Sequence, residues 1–161
     1  MMNHKVRIQK TTKCDTRALD KTFTEQDVFE DTRKHIEAVI CVCTWFCFEL
    51  MKQVHNHDYT KIGNAEYLSL FTNALKTGLK NEEFYELEWW KQHKELERHH
   101  LNANCPEDVN LIDVIEMLAD CVSAGLARTG NVYDVNISNE ILQKAVKNTV
   151  EMLKDNIEVI D

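Results

Sequence analysis

The sequence predicts an all-α protein, a single-domain helical bundle of about five helices. Three observations carry this reading. Four glycines and one proline (Pro106) leave few residues for the tight turns of a many-stranded sheet. Apolar residues recur at helical spacing in five separate segments. A length of 161 residues suits one domain, and 43% hydrophobic with 29% charged residues is a globular balance rather than a disordered one.

Residues 1–21 read as a basic N-terminal arm, with Lys5, Arg7, Lys10, Lys13, Arg17 and Lys21 against Asp15 and Asp20. Residues 22–161 form the helical domain. Thr24 with Asp27 marks the start of a first helix, whose apolar positions Val28, Ile36, Val39, Ile40, Cys43, Phe46, Leu50 and Val54 carry it to about His55. A second helix covers Asn64 to Lys76 and ends at Gly78. The third runs from near Asn81 through Trp89 and Trp90, read as core and rim packing, to about His100. A loop with Asn102, Asn104 and Pro106 precedes the fourth, Val109 to Arg128, which Gly130 terminates. Ser138 caps the last, with Ile141, Leu142, Ala145, Val146, Thr149 and Leu153 inward.

The net charge of -8 becomes about -12 once the arm is set aside, a poor surface for tracking polymeric nucleic acid. No membrane association is expected, because the most apolar stretch, Val39 to Leu50, is far short of the roughly 20 residues that span a bilayer. The polar, basic start lacks the apolar core of a signal peptide, so the expected location is cytoplasmic. In that setting all six cysteines are expected reduced and mostly buried. Oligomeric state is left open.

The chemistry gathers in three places. His57 and Asp58 are adjacent, followed by Thr60 and Lys61. His93, Glu97 and His100 share one face of the third helix, with His99 pointing elsewhere. Asp113, Glu116 and Asp120 line one face of the fourth. Each residue alone has an ordinary structural explanation. Jointly, imidazoles and carboxylates suit zinc, iron or manganese, and carboxylates with water suit magnesium. The expected metal ligands are His57, Asp58, His93, His100 and Asp120, with His35, His99 and Asp113 as further candidates. His35 precedes His57 by 22 residues, about 33 Å along an unbroken helix at 1.5 Å per residue, so it joins only if the helix breaks. Lys61 can neutralise substrate phosphate. Glu66 or Glu116 can take a proton, although Glu66 also suits a helix start.

His57-Asp58-Tyr59-Thr60-Lys61 resembles the His-Asp doublet with trailing Lys of the HD-domain metal-dependent phosphohydrolases, and Ala119-Asp120 resembles that superfamily's last metal ligand. A closer resemblance is to a small uncharacterised family common in phages and bacteria. Its pattern runs His-Asp-x-Ser-Lys, His-x5-His-His, and Asn-Leu-Ile-Asp-Leu-Ile-Glu-Met-x-x-Asp. The matching segments are His57 to Lys61, His93 to His100 and Asn110 to Asp120. Thr60 stands for the family's Ser and keeps the hydroxyl. Glu97, Leu101 and Ala103 stand where the family tends to have Asn, Pro and a further His, and Cys121 replaces a Trp.

The resemblance implies an HD-like bundle and a phosphohydrolase using a divalent ion (Mn, Fe, Zn or Mg) on a small phosphorylated substrate such as a nucleotide. Two other expectations stand beside it. One is an HD-like di-iron oxygenase; the other is a non-enzymatic helical protein, a phage-type inhibitor of a host factor, with the polar cluster as a structural network.

Overall fold

Local capping places the helices in this structure, a computed structural model that describes residues 5–17, 21–102 and 105–161. Thr24 and Asp27 form a reciprocal cap: Thr24 Oγ1 accepts from the Asp27 amide at 3.2 Å, and Asp27 accepts from the Thr24 amide at 2.9 Å. From there α1 (Glu25–Val54) runs 30 residues without a break. A turn leads into the single-turn α2 (Tyr59–Ile62), and Asn64 then caps α3 (Ala65–Lys76) by accepting from the Tyr67 amide at 2.8 Å. The short α4 (Asn81–Tyr85) precedes α5 (Glu88–Leu96). Asn110 and Asp113 cap α6 (Leu111–Thr129), which Gly130 closes at φ 76°. Ser138 accepts from the Ile141 amide at the start of α7 (Asn139–Asn156).

The chain divides into two units. The first comprises residues 1–49 and 150–161. Within it β1 (Val6–Gln9) and β2 (Ile157–Ile160) pair in parallel, Val6 opposite Ile157, and an Arg7–Glu158 ion pair at 3.0 Å ties the strands side by side. The second unit, residues 50–149, holds a core of Leu101, Val109, Val114, Met117 and Ala145, with Ile137, Ile141 and Leu142 packed against it. Among the described residues the protein is all-α apart from that two-stranded pair. No helix among the described residues is long and apolar enough to cross a membrane.

Among the described residues five helices have nine residues or more, and three sequence expectations need correction. The third predicted helix is two, and it stops at Leu96 rather than His100, because Glu97 takes an extended conformation (φ -91°, ψ 115°) that turns its carboxylate toward α2. Part of the basic arm, Val6–Gln9, is a strand, an element on which the sequence carries no expectation. Cys41, Cys43 and Cys47 are exposed rather than buried, since α1 buries none of its side chains, although all six cysteines are free as expected. Val146 is half exposed and does not face inward with Ala145 and Thr149. Asn104 lies outside the described residues.

Candidate metal centre

The centre lies wholly within the second unit and is built from one turn, one helix end and one helix face. His57 and Asp58 sit in the turn after α1. Asp58 has φ 57°, left-handed for a non-glycine residue, a conformation Asp tolerates better than most. Its Oδ2 accepts from Lys61 Nζ at 2.6 Å, while Oδ1 faces His93 Nε2 at 3.6 Å and His99 Nε2 at 3.8 Å. From α6, Glu116 Oε1 meets His57 Nδ1 at 2.9 Å, and Asp120 Oδ1 lies 3.5 Å from His57 Nε2. The end of α5 and the turn beyond it supply His93, His99 and His100.

Among the described residues two groups have donor atoms within 4.8 Å of one another: His93 with His99 and His100, and His57 with His99 and Asp120. His99 belongs to both. The reading of the third helix had it pointing elsewhere; the helix break at Glu97 brings it in instead, and it is only 2% exposed. Both of its ring nitrogens, and Asp58 Oδ1, are buried with no hydrogen-bond partner. Such groups cost free energy unless something satisfies them, and an ion, a ligand or a water molecule could do so here.

The ring orientations are fixed from behind. Thr60 Oγ1 donates its one hydrogen to Glu97 Oε1 at 2.6 Å, and the Thr60 amide donates to the same oxygen at 2.8 Å. His93 Nδ1, 2.6 Å from Thr60 Oγ1, must therefore be the donor of that contact, which leaves its lone pair on Nε2. His100 Nε2 approaches that lone pair at 2.8 Å. Across the site, Gln53 Nε2 donates to Glu116 Oε2 at 2.7 Å and to Asp113 Oδ1 at 2.8 Å. Asp113 in turn accepts a two-pronged bond from Arg98, both contacts 2.8 Å. This chain from Arg98 to His57 is the kind of outer support that orients ligand imidazoles.

Electrostatics sort the histidines. Burial, with Lys61 and His100 nearby, holds His93 down to about 3. Burial and His99 bring His100 down to about 4, and burial followed by the His57 charge lowers His99. These three imidazoles are neutral at neutral pH, as metal ligation requires. His57 goes the other way, pushed up to about 10 by Asp120 and then Glu116. Burial works to raise Asp58, but the Lys61 hydrogen bond overrides it and holds the carboxyl below its usual range. His57 likewise keeps Asp120 ionised.

The structure thus gathers His57, Asp58, Lys61, His93, His99, His100, Glu116 and Asp120. It does not gather His35, which stays exposed midway along the unbroken α1 and is in neither donor group. Glu66 is exposed in the first turn of α3, where the helix dipole favours it. Asp113 is fully buried but committed to Arg98, Gln53 and the Asn110 amide, so its role is structural. Sequence reasoning missed Gln53 and Arg98. Gln53 had a signal, four residues before His57; Arg98, next to the helix break, had none.

The centre opens into a cavity of about 1190 Å³, with Lys61, His99, His100 and Asp120 on its wall. Searches of curated proteins and of solved structures found no match to this chain. The model of one family matches residues 24–159, a span that includes every residue of the centre. The chain belongs to that family, a family of unknown function (DUF5662).

Proposed function

We propose that this protein is a metal-dependent phosphohydrolase acting on a small phosphorylated substrate. The observation that carries the reading is the set of orphaned atoms, Asp58 Oδ1 and both His99 nitrogens, where two donor groups overlap beside Lys61. The residues fit a divalent ion: His93, His99 and His100 supply neutral imidazoles, and the group of His57, His99 and Asp120 adds an ionised carboxylate, with His57 releasing its proton to solvent before it can ligate. Three imidazoles favour zinc, iron or manganese over magnesium, which prefers oxygen. When bound, such an ion polarises a phosphoryl oxygen and lowers the pKa of water.

The chain's own groups do the rest. Lys61, held by Asp58 and lining the cavity, balances charge on the phosphate. Thr60 and Glu97 orient His93, and Glu116 with Gln53 orients His57. Glu116 works through that imidazole rather than taking a proton directly, because both its oxygens are engaged. Trp89, stacked on His93 at 5.3 Å, shields the back of the site from water.

The test is metal content by elemental mass spectrometry, with phosphate release measured on the same samples. Near-stoichiometric metal in the wild type, lost together with phosphate release in His99→Ala, is the expected result. No metal after reconstitution with manganese, iron, zinc or magnesium would overturn the reading. Two donor groups sharing His99 also favour a second reading, a two-iron oxygenase. Anaerobic iron loading followed by oxygen uptake would select it.

A further inference from the structure

The cavity beside the metal centre is larger and differently lined than one phosphate requires. Ligand pockets commonly occupy about 300–1,000 Å³, and this one reaches about 1190 Å³. Part of its wall is aromatic: Tyr85 and Trp90 both line it, their rings tilted by 30° with centroids 5.4 Å apart, and Trp90 meets His100 edge-on at 5.6 Å. An aromatic ligand in contact with Trp90 therefore lies next to a residue of the metal centre.

Three cations also line the cavity: Lys61, Lys94 and Arg128. Lys61 is committed to Asp58, but neither Lys94 nor Arg128 meets a carboxylate among the described residues. The chain has 27 acidic and 19 basic side chains, so unpaired positive charge facing one cavity is not a product of composition. Lys94 lies one turn beyond Trp90 on α5 and shares its face. Arg128, in the last turn of α6, offers a planar fork suited to phosphate.

A single phosphoester is already met by the metal centre and Lys61, which leaves two cations and an aromatic wall without an occupant. We infer that the substrate is a nucleoside polyphosphate, with its base against Trp90 and Tyr85 and its non-reacting phosphate neutralised by Lys94 and Arg128. This rests on the phosphohydrolase reading only for the identity of the reacting group. Contacts to the base and the distant phosphate are those from which an enzyme draws binding energy for positioning the reacting centre.

The test is calorimetric titration of the full chain, in chelator and again with manganese. The probes are α,β-methylene adenosine diphosphate, adenosine monophosphate, adenosine and pyrophosphate, with the guanosine, cytidine and uridine diphosphates added in chelator. A nucleoside diphosphate should bind roughly tenfold tighter than both its monophosphate and pyrophosphate, as expected for one added charge-assisted contact and one stacked base. Lys94→Gln and Arg128→Gln should each shrink the diphosphate-over-monophosphate ratio several-fold. Trp90→Leu should shrink the ratio over pyrophosphate. Helical circular dichroism confirms that each variant is folded.

The inference is overturned if no diphosphate outbinds pyrophosphate under either condition, or if the lysine and arginine variants leave the ratio intact. Binding in chelator needs no turnover, so the two readings fail separately. A protein that binds these ligands but holds no metal sinks only the hydrolase. One that holds metal and releases phosphate from simple esters, without nucleotide preference, sinks only this inference.

Discussion

Two helices show how little hydropathy says about burial. Helix α1 contains the most apolar stretch of the chain, Val39 to Leu50, yet none of its 30 residues is buried. Phe29, Ile40 and Phe48 are 62%, 58% and 70% exposed. Helix α6 is shorter and buries two carboxylates, Asp113 and Glu116, beside Ile112, Val114 and Met117. The difference lies in partners. Asp113 is enclosed because Arg98, Gln53 and the Asn110 amide occupy its oxygens, and a buried charge persists only under such conditions. An apolar residue in α1 gains nothing until a second surface covers it.

The comparison breaks most visibly at Arg98. Arg98→Ala leaves the Asp113 carboxylate buried without its cation, and should cost about 3 kcal/mol or more in urea denaturation. A loss below 1 kcal/mol would show that Gln53 and the backbone amide suffice. Thr60→Val probes the polar network on the other side of the centre. It removes the hydroxyl that joins Glu97 to His93, so a cost of about 1–3 kcal/mol is expected, with reduced metal retention. Thr60→Ser keeps the hydroxyl and should restore both.

Acid titration sharpens the contrast further. His93 and His100 titrate near 3 and 4 in the folded protein, below the ordinary value of about 6.5. As pH falls through that value the unfolded chain takes up protons first, so stability drops. His57, raised to about 10, adds stability that is complete below its unfolded value and is lost as pH rises through 10. It therefore does not offset the acid loss. The melting temperature of chelator-treated protein should fall between about pH 6.5 and pH 5, and a flat profile there would contradict neutral burial of these histidines.

The smallest effect belongs to α1. Phe48→Ala should change stability by about 0.5 kcal/mol or less, as for surface positions generally. A loss near 2 kcal/mol that grows with protein concentration would mean that another chain covers this face.

Much of the helical layout was legible because its signals are local. Thr24 with Asp27 and Gly130 act across three or four residues, and the helix ends they imply are observed, whereas the capping by Asn110 and Asp113 emerges only in the structure. The same holds for the doublet His57–Asp58 and for the i, i+3 and i+4 spacing of the α6 carboxylates. The failure at residues 97–100 has the opposite cause. Helical periodicity placed His93 and His100 together and turned His99 away, but Glu97 leaves the helix to bond Thr60, 37 residues earlier.

The sequence by itself determined where most helices start and stop, and which short segments carry imidazoles and carboxylates, because these depend on neighbours within a turn. Only the tertiary structure decided that His99 joins both donor groups, that Asp113 serves Arg98, and that no residue of α1 is fully buried. Those outcomes depend on hydrogen bonds spanning 15 to 63 residues, which no local pattern encodes.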